Sequence, residues 1–308
     1  LTVPSFFDRN CEGLRGAALR AGRNNFAYLT EVVTQQLDTI FNADLNLHPG
    51  SKKAEELGKK IICMDELVPQ LICRGFPDND VVLYQMLPVY LPSLINQHSP
   101  VHYIEQSELY GLPADVCPLP SFEAGVAIED DYPKIGCCML SCNMPCDGSI
   151  MTTPIQDRRH GLPTQPINIP LRWLRDEVQE YAVDEFLSAV EFLEKHTGAK
   201  YDWDKLKEAC EIWNEQTRCK LEKWELNRTE LSPHTGSSAW LYRIFEHQAV
   251  CGVQKALDND RKVNALLEKQ VAAGKFPKTV KHRAIIWNTP ANNYANFDNW
   301  ILQCWGID

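Results

Sequence analysis

The sequence predicts an α/β protein built round a largely parallel sheet. Two observations point there. Short apolar or β-rich runs recur from Lys60 to Pro170: "KKIICM", "DVVLYQM", "VHYI", "KIGCCML" and "TQPINIP". Helical or turn segments separate them, and runs so spaced favour strands joined by crossovers. The length of 308 residues suits about two domains, with 44% hydrophobic and 23% charged residues, the composition of a globular protein.

Residues 1–59 read as an N-terminal helical region, because "GLRGAALRAGRNNFAYLTEVVTQQLDTIF" carries apolar residues at roughly helical spacing and "HPGS" breaks it. Residues 60–170 form the first α/β domain, expected to be a Rossmann-like parallel sheet. "KIGCCML" is its buried strand, and "SCNMPCDGS" the loop leaving that strand's carboxyl end, where ligands sit in such sheets. Residues 171–282 form a helical domain. Its first helix runs through "LRWLRDEVQEYAVDEFLSAVEFLEKHTG", burying Trp173, Val178, Tyr181, Phe186, Val190 and Leu193 and stopping at Gly198. Asp202 or Asp204 caps a second helix, which buries Leu206, Ala209, Cys210, Trp213, Leu221 and Trp224. Further helices are expected over Ala239–Val250 and Arg261–Ala273. Residues 283–308, with "RAIIW" as a strand and "FDNWILQCW" as a helix start, read as the start of a second α/β domain truncated at the C-terminus, unless Arg283–Trp287 joins the first sheet.

The net charge of −10 disfavours nucleic acid or an anionic membrane as partner. No apolar run approaches the ~20 residues of a membrane span. The first residues lack a signal-peptide layout and an initial Met, so a cytoplasmic chain with a trimmed start is expected. No phosphate-binding glycine fingerprint is present.

Four of the 12 cysteines fall in "CCMLSCNMPC". Scattered thiols without a secretion signal suggest a reducing compartment, which disfavours disulfides. Adjacent Cys137 and Cys138 are moreover expected on opposite faces of one strand. Cys138, Cys142 and Cys146 lack the paired knuckles of a structural zinc site. Two readings stay open on spacing: packed core or loop cysteines, or an iron–sulfur cluster, whose thiolates converge in space without regular spacing. Cys146, followed by Asp147-Gly148-Ser149, lies on a loop, where Gly permits close backbone approach. Cys117 in "LPADVCPLPSFEAG" enters a predicted helix at Pro118.

"ADVCPLPSFEAG" and "CCMLSCNMPCDGSIMTTPIQDRRHGLPTQPINIP" resemble the 2-hydroxyacyl-CoA dehydratase/benzoyl-CoA reductase family. The resemblance continues through "TGAKYDWDKLKEACEIWNEQ" and "HRAIIWNTPANNYANFDNW", covering most of Lys60–Asp308. It implies a [4Fe-4S] cluster held by three cysteines with one iron open or held by another ligand. Cys117 stands at the family's first ligand position and Cys146 at the second, with Cys142 in reserve. Both Cys117 and Cys146 are then expected at strand carboxyl ends on one sheet edge. The third ligand is expected beyond Asp308, in a domain the chain barely enters. Cys304, on a helix, does not match it.

The resemblance further implies a subunit of an (R)-2-hydroxyacyl-CoA dehydratase. Water leaves a 2-hydroxyacyl-CoA through a ketyl radical in an anaerobic, oxygen-sensitive, cytoplasmic heterodimer. Its partners are a homologous second subunit, an ATP-hydrolysing iron–sulfur activator and the acyl-CoA substrate. A benzoyl-CoA reductase-type subunit is the alternative within the family, and a non-catalytic partner subunit the alternative outside it. His160 and Asp147 lie near the implied site. The plainer readings of these are a surface turn histidine and a helix cap.

Overall fold

The structure, a computed structural model, describes residues 60–65, 68–83, 99–129, 136–143, 148–172, 174–230, 232–233, 250–274, 281–285 and 301–307. These fall into two compact units, residues 60–206 and residues 207–307. The expected N-terminal helical region and nearly all of the helix expected over Ala239–Val250 lie outside the described residues. Among the described residues, no helix is long and apolar enough to cross a membrane.

The first unit is a mixed α/β structure on a four-stranded parallel sheet. The strands are β1 (Ile61–Met64), β2 (Asp80–Leu83), β3 (Cys138–Cys142) and β4 (Thr164–Ile167), in the order β2-β1-β3-β4. Ile62 pairs with both Val81 and Cys138, and Cys142 with Ile167. All of β1 and all of β3 are buried. This is why both read as unbroken apolar runs: an interior parallel strand is covered on both faces. β4 lies at the edge, where Pro166 costs the ladder no inward hydrogen bond.

The helices of this unit are α1 (Ser99–Tyr110), α2 (Pro118–Ile128), α3 (Gly148–His160) and α4 (Asp176–Thr197); α1 packs on α2, and α2 on α3. α3 packs on β3 and β4, and α4 on β1, β3 and β4. One core gathers Ile62, Met64, Cys138 and Leu140 with Ile72, Phe76, Val190, Leu193 and Tyr201. Tyr201 pins this core: its hydroxyl donates to the Ile72 carbonyl at 2.9 Å, and its ring meets Phe76 edge-on at 5.0 Å. A side chain on Gly75 would meet that ring at 2.3 Å.

Two expectations for this unit are corrected. "VHYI" is not a strand, because Val101–Ile104 lie inside α1. The run is short, and Pro100 in the first turn starts a helix, since its missing N–H has no intrahelical role there. Tyr181, expected on the buried side of α4, is 43% exposed, whereas Val190 and Leu193 are buried. α4 has 22 residues, about 33 Å, and strands of four or five residues span roughly half that. Its first half therefore overhangs the sheet. Gly198, at φ 75°, ends α4 as expected.

α5 (Trp203–Asn227) opens in the first unit and continues into the second. Asp202 caps it, its Oδ1 accepting the N–H groups of Asp204 and Lys205 at 3.0 Å. In the second unit α5 pairs with α6 (Gln254–Ala272), which begins before the expected Arg261. The expected apolar stripe is also corrected. Leu221 and Trp224 are exposed, while Gln216, Cys219 and Lys223 are buried. Asp260 on α6 is the cause. It is fully buried and takes Lys223 Nζ at 2.7 Å and Gln216 Nε2 at 3.3 Å. A buried carboxylate needs such donors, so they displace the aromatic side from the interior. Of "RAIIW", Arg283–Ile285 form no strand. The neighbouring His282 makes one isolated parallel bridge to Ile307, and the rest of the run lies outside the described residues. A π-helical turn, Ile301–Trp305, carries Cys304.

α1 and α2 cross with almost no space between backbones. A Cβ on Gly125 would sit 1.9 Å from the Tyr103 carbonyl oxygen. Gly125→Ala is therefore expected to lower unfolding free energy by about 1–3 kcal/mol, as overpacking does. Denaturant titration would read this, and an unchanged midpoint would contradict the crossing.

Candidate functional site

The order β2-β1-β3-β4 means that the chain steps from β1 to one side and later returns to the other. In open parallel sheets, ligands bind outside the carboxyl ends of the strands at such a reversal. The ends of β1, β3 and β4 meet there. Asp65 directly follows β1, is 1% exposed, and donates its N–H to the Leu140 carbonyl at 2.9 Å. Asn143 directly follows β3 and clamps it to the chain after β4. Its Oδ1 accepts the Ile169 N–H at 2.7 Å, and its Nδ2 donates to the Ile169 carbonyl at 3.2 Å. Next along, the Asn168 N–H donates to Glu185 Oε2 on α4 at 2.8 Å. The sequence between Asn143 and α3 thus leaves from an anchored point.

Cys117 occupies the N-cap position of α2 and is exposed. Pro118 and Pro120 fix the backbone of the first turn. Ser121 donates both its N–H, at 3.4 Å, and its Oγ–H, at 3.2 Å, to the Cys117 carbonyl. The expected placement at a strand's carboxyl end is corrected: α1 and a turn precede Cys117. α2 packs against α3 through Ala124, Ala127 and Ile155.

Cys142 is the last residue of β3, so the loop expected from Ser141 begins two residues later, at Asn143. At 4% exposure it packs in the core on the same side as Cys138 and Leu140. Cys146 and Asp147 lie outside the described residues, and α3 begins at Gly148. His160 is the last residue of α3. Among the described residues, no group of three or more His, Cys, Asp and Glu is placed to hold a metal ion.

Cys137 and Cys138 also differ from expectation. Cys137 precedes β3 rather than belonging to it, and the two Sγ atoms lie 3.7 Å apart instead of facing opposite ways. Three further polar residues were missed in the sequence. Asp65 closes the apolar run "IICM", and Asn143 follows "CMLSC". Glu123, 2% exposed, sits inside the apolar helix "PLPSFEAGVAI". The available signal was the same each time: one polar residue at the end of, or within, an apolar run.

The family model for the 2-hydroxyglutaryl-CoA dehydratase D-component matches residues 85–307, well over half of the chain. The chain belongs to this family. The match takes in Cys117, Cys142 and Cys146 and covers β3, β4 and all six helices named above. Membership identifies a dehydratase-type component and favours neither the ring-reducing alternative nor a non-catalytic one. No curated protein matches the chain.

The Asn143 clamp gives a test of how the strand ends are held. Asn143→Ala is expected to destabilise the protein by about 1–3 kcal/mol, because it leaves the Ile169 N–H and carbonyl unmatched. Asn143→Asp should lose a comparable amount, having no proton to offer the Ile169 carbonyl. Chemical denaturation of both variants checks this, and a loss below about 0.5 kcal/mol in each would contradict the clamp.

Proposed function

We propose that the chain is the iron–sulfur subunit of an (R)-2-hydroxyacyl-CoA dehydratase, eliminating water from a 2-hydroxyacyl-CoA by radical chemistry. The family match over residues 85–307 carries the reading. The exposed Cys117 thiol on a braced helix start supports it.

The residues fit a thiolate-held cluster unequally. Cys117 offers an accessible soft donor of the kind iron–sulfur centres use. Cys142 does not fit, because its sulfur is sealed among apolar side chains. A cluster there would have to open the core between β3 and α4. The second ligand of the proposal is therefore Cys146, on the sequence between the Asn143 anchor and α3. A bound [4Fe-4S] cluster with an open iron supplies one-electron chemistry and a Lewis-acid position for a substrate oxygen. α2 fixes the backbone at Cys117, and Asn143, three positions before Cys146 in the sequence, is itself anchored to Ile169. A homologous second subunit completes a heterodimer, and a separate ATP-hydrolysing activator delivers the electron, all in the cytoplasm.

Iron and acid-labile sulfide analysis of anaerobically purified protein tests this. About four irons per chain are expected. Cys117→Ala and Cys146→Ala should each lose most of the iron, whereas Cys142→Ala should keep it and lose only packing stability. An iron-free preparation that still dehydrates a 2-hydroxyacyl-CoA with its partners would overturn the reading.

A further inference from the structure

The amino end of β3 carries a group of thiols that the proposed function does not use. Gly136, at φ 90°, lets the chain pass so close to β1 that a Cβ there would meet Cys63 Sγ at 2.6 Å and the Ile61 carbonyl at 3.2 Å. The next residue, Cys137, donates its N–H to that same carbonyl at 2.8 Å. This fixes Cys137 half-buried at the sheet's end, while Cys138 is fully buried. Their sulfurs lie 3.7 Å apart in S–H···S contact.

The two thiols are not equivalent. The hydrogen bond from Cys138 and the nearby Lys60 ammonium hold Cys137 below the usual thiol range. The same hydrogen bond, with burial, pushes Cys138 up. Cys63 is pushed up by its own complete burial. Cys73 is buried too, with its Sγ 3.1 Å from Met64 Sδ. One partly accessible sulfur thus stands beside a protonated one, a nucleophile next to a resolving thiol.

We propose that Cys137 and Cys138 are a peroxide-reactive thiol pair, a modification site in which Cys137 attacks the oxidant and Cys138 closes a disulfide between neighbouring residues. In the first step the Cys137 thiolate attacks one peroxide oxygen. The O–O bond breaks, the sulfur becomes a sulfenic acid, and the leaving oxygen departs as water with a solvent proton. In the second, Cys138 gives up its proton and attacks that sulfur; the S–O bond breaks and a second water leaves. The sum is two thiols and one peroxide giving one disulfide and two waters. Adjacent Cα atoms are about 3.8 Å apart, shorter than disulfides prefer. The bridge therefore forms under strain and opens readily to a dithiol. The strain falls on the Cys137–Ile61 hydrogen bond and the Cys138–Ile62 pairing, at the opposite end of β3 from Cys142 and Asn143.

The experiment treats the full chain, purified without oxygen, with hydrogen peroxide in the presence of an iron chelator, then alkylates and maps the thiols by mass spectrometry. The peptide bearing both residues should lose two hydrogens and escape alkylation, and dithiothreitol should restore both. Cys138→Ser should let dimedone trap a sulfenic acid on Cys137, about tenfold faster or more than any adduct forms on Cys63. Cys137→Ser should leave Cys138 a thiol. A bond from Cys137 to Cys63 or Cys73, a Cys137 oxidised only to sulfinic acid in the unmutated protein, or two thiols that still alkylate after peroxide would each overturn the proposal. None of these outcomes bears on the dehydratase reading.

Discussion

β3 must be buried on both faces and paired along both edges at once. Each of its five residues is enclosed, β1 and β4 flank it, and α3 and α4 both pack on it. Such a strand has little room for large or charged side chains, which explains "CMLSC": small and medium apolar residues with one serine. The same confinement gives its ends their roles. At the carboxyl end the first residue able to reach outward is Asn143, which spends its amide on β4's continuation. At the amino end Cys137 has just escaped the strand, which lets its sulfur fold back onto Cys138.

The helical unit shows the opposite solution. Beside an apolar cluster of Val263, Leu267 and Leu226 it buries a charge pair, Lys223 and Asp260, at 2.7 Å. Gln216 completes the carboxylate's partners and accepts the Gly252 N–H at 2.7 Å. Asn264 donates to the Cys219 carbonyl at 3.0 Å and Glu222 Oε2 at 2.8 Å. A buried pair of this kind adds little net stability, but breaking one member is costly. The pair joins α5 to α6. Lys220 stands at the margin of this seam, its ammonium 3.6 Å over the Trp213 ring, and burial pulls its pKa down to about 8.

Local chemistry was legible in the sequence; tertiary competition was not. β1, β3 and β4 could be read because a parallel strand inside a sheet is an apolar run bounded by turn residues. Gly198 and Asp202 could be read because caps are chosen by backbone geometry within a few residues. "VHYI" failed because four apolar residues fit helix or strand equally, and Pro100 was the deciding signal. Leu221 and Trp224 failed because Asp260, more than thirty residues away, draws Gln216 and Lys223 inward. At the candidate site, Pro118 announced the helix start after Cys117. The burial of Cys142 depends on where β3 ends, and strand and helix ends are the least sharply coded feature of a sequence.

The most direct test of the account is the position of iron. Crystals of the anaerobically purified protein, measured at the iron absorption edge, should show anomalous density in contact with the sulfurs of Cys117 and Cys146, with none at Cys142. Iron density centred on Cys142, or ordered Cys117 and Cys146 sulfurs too far apart to share one cluster, beyond about 10 Å, would contradict it.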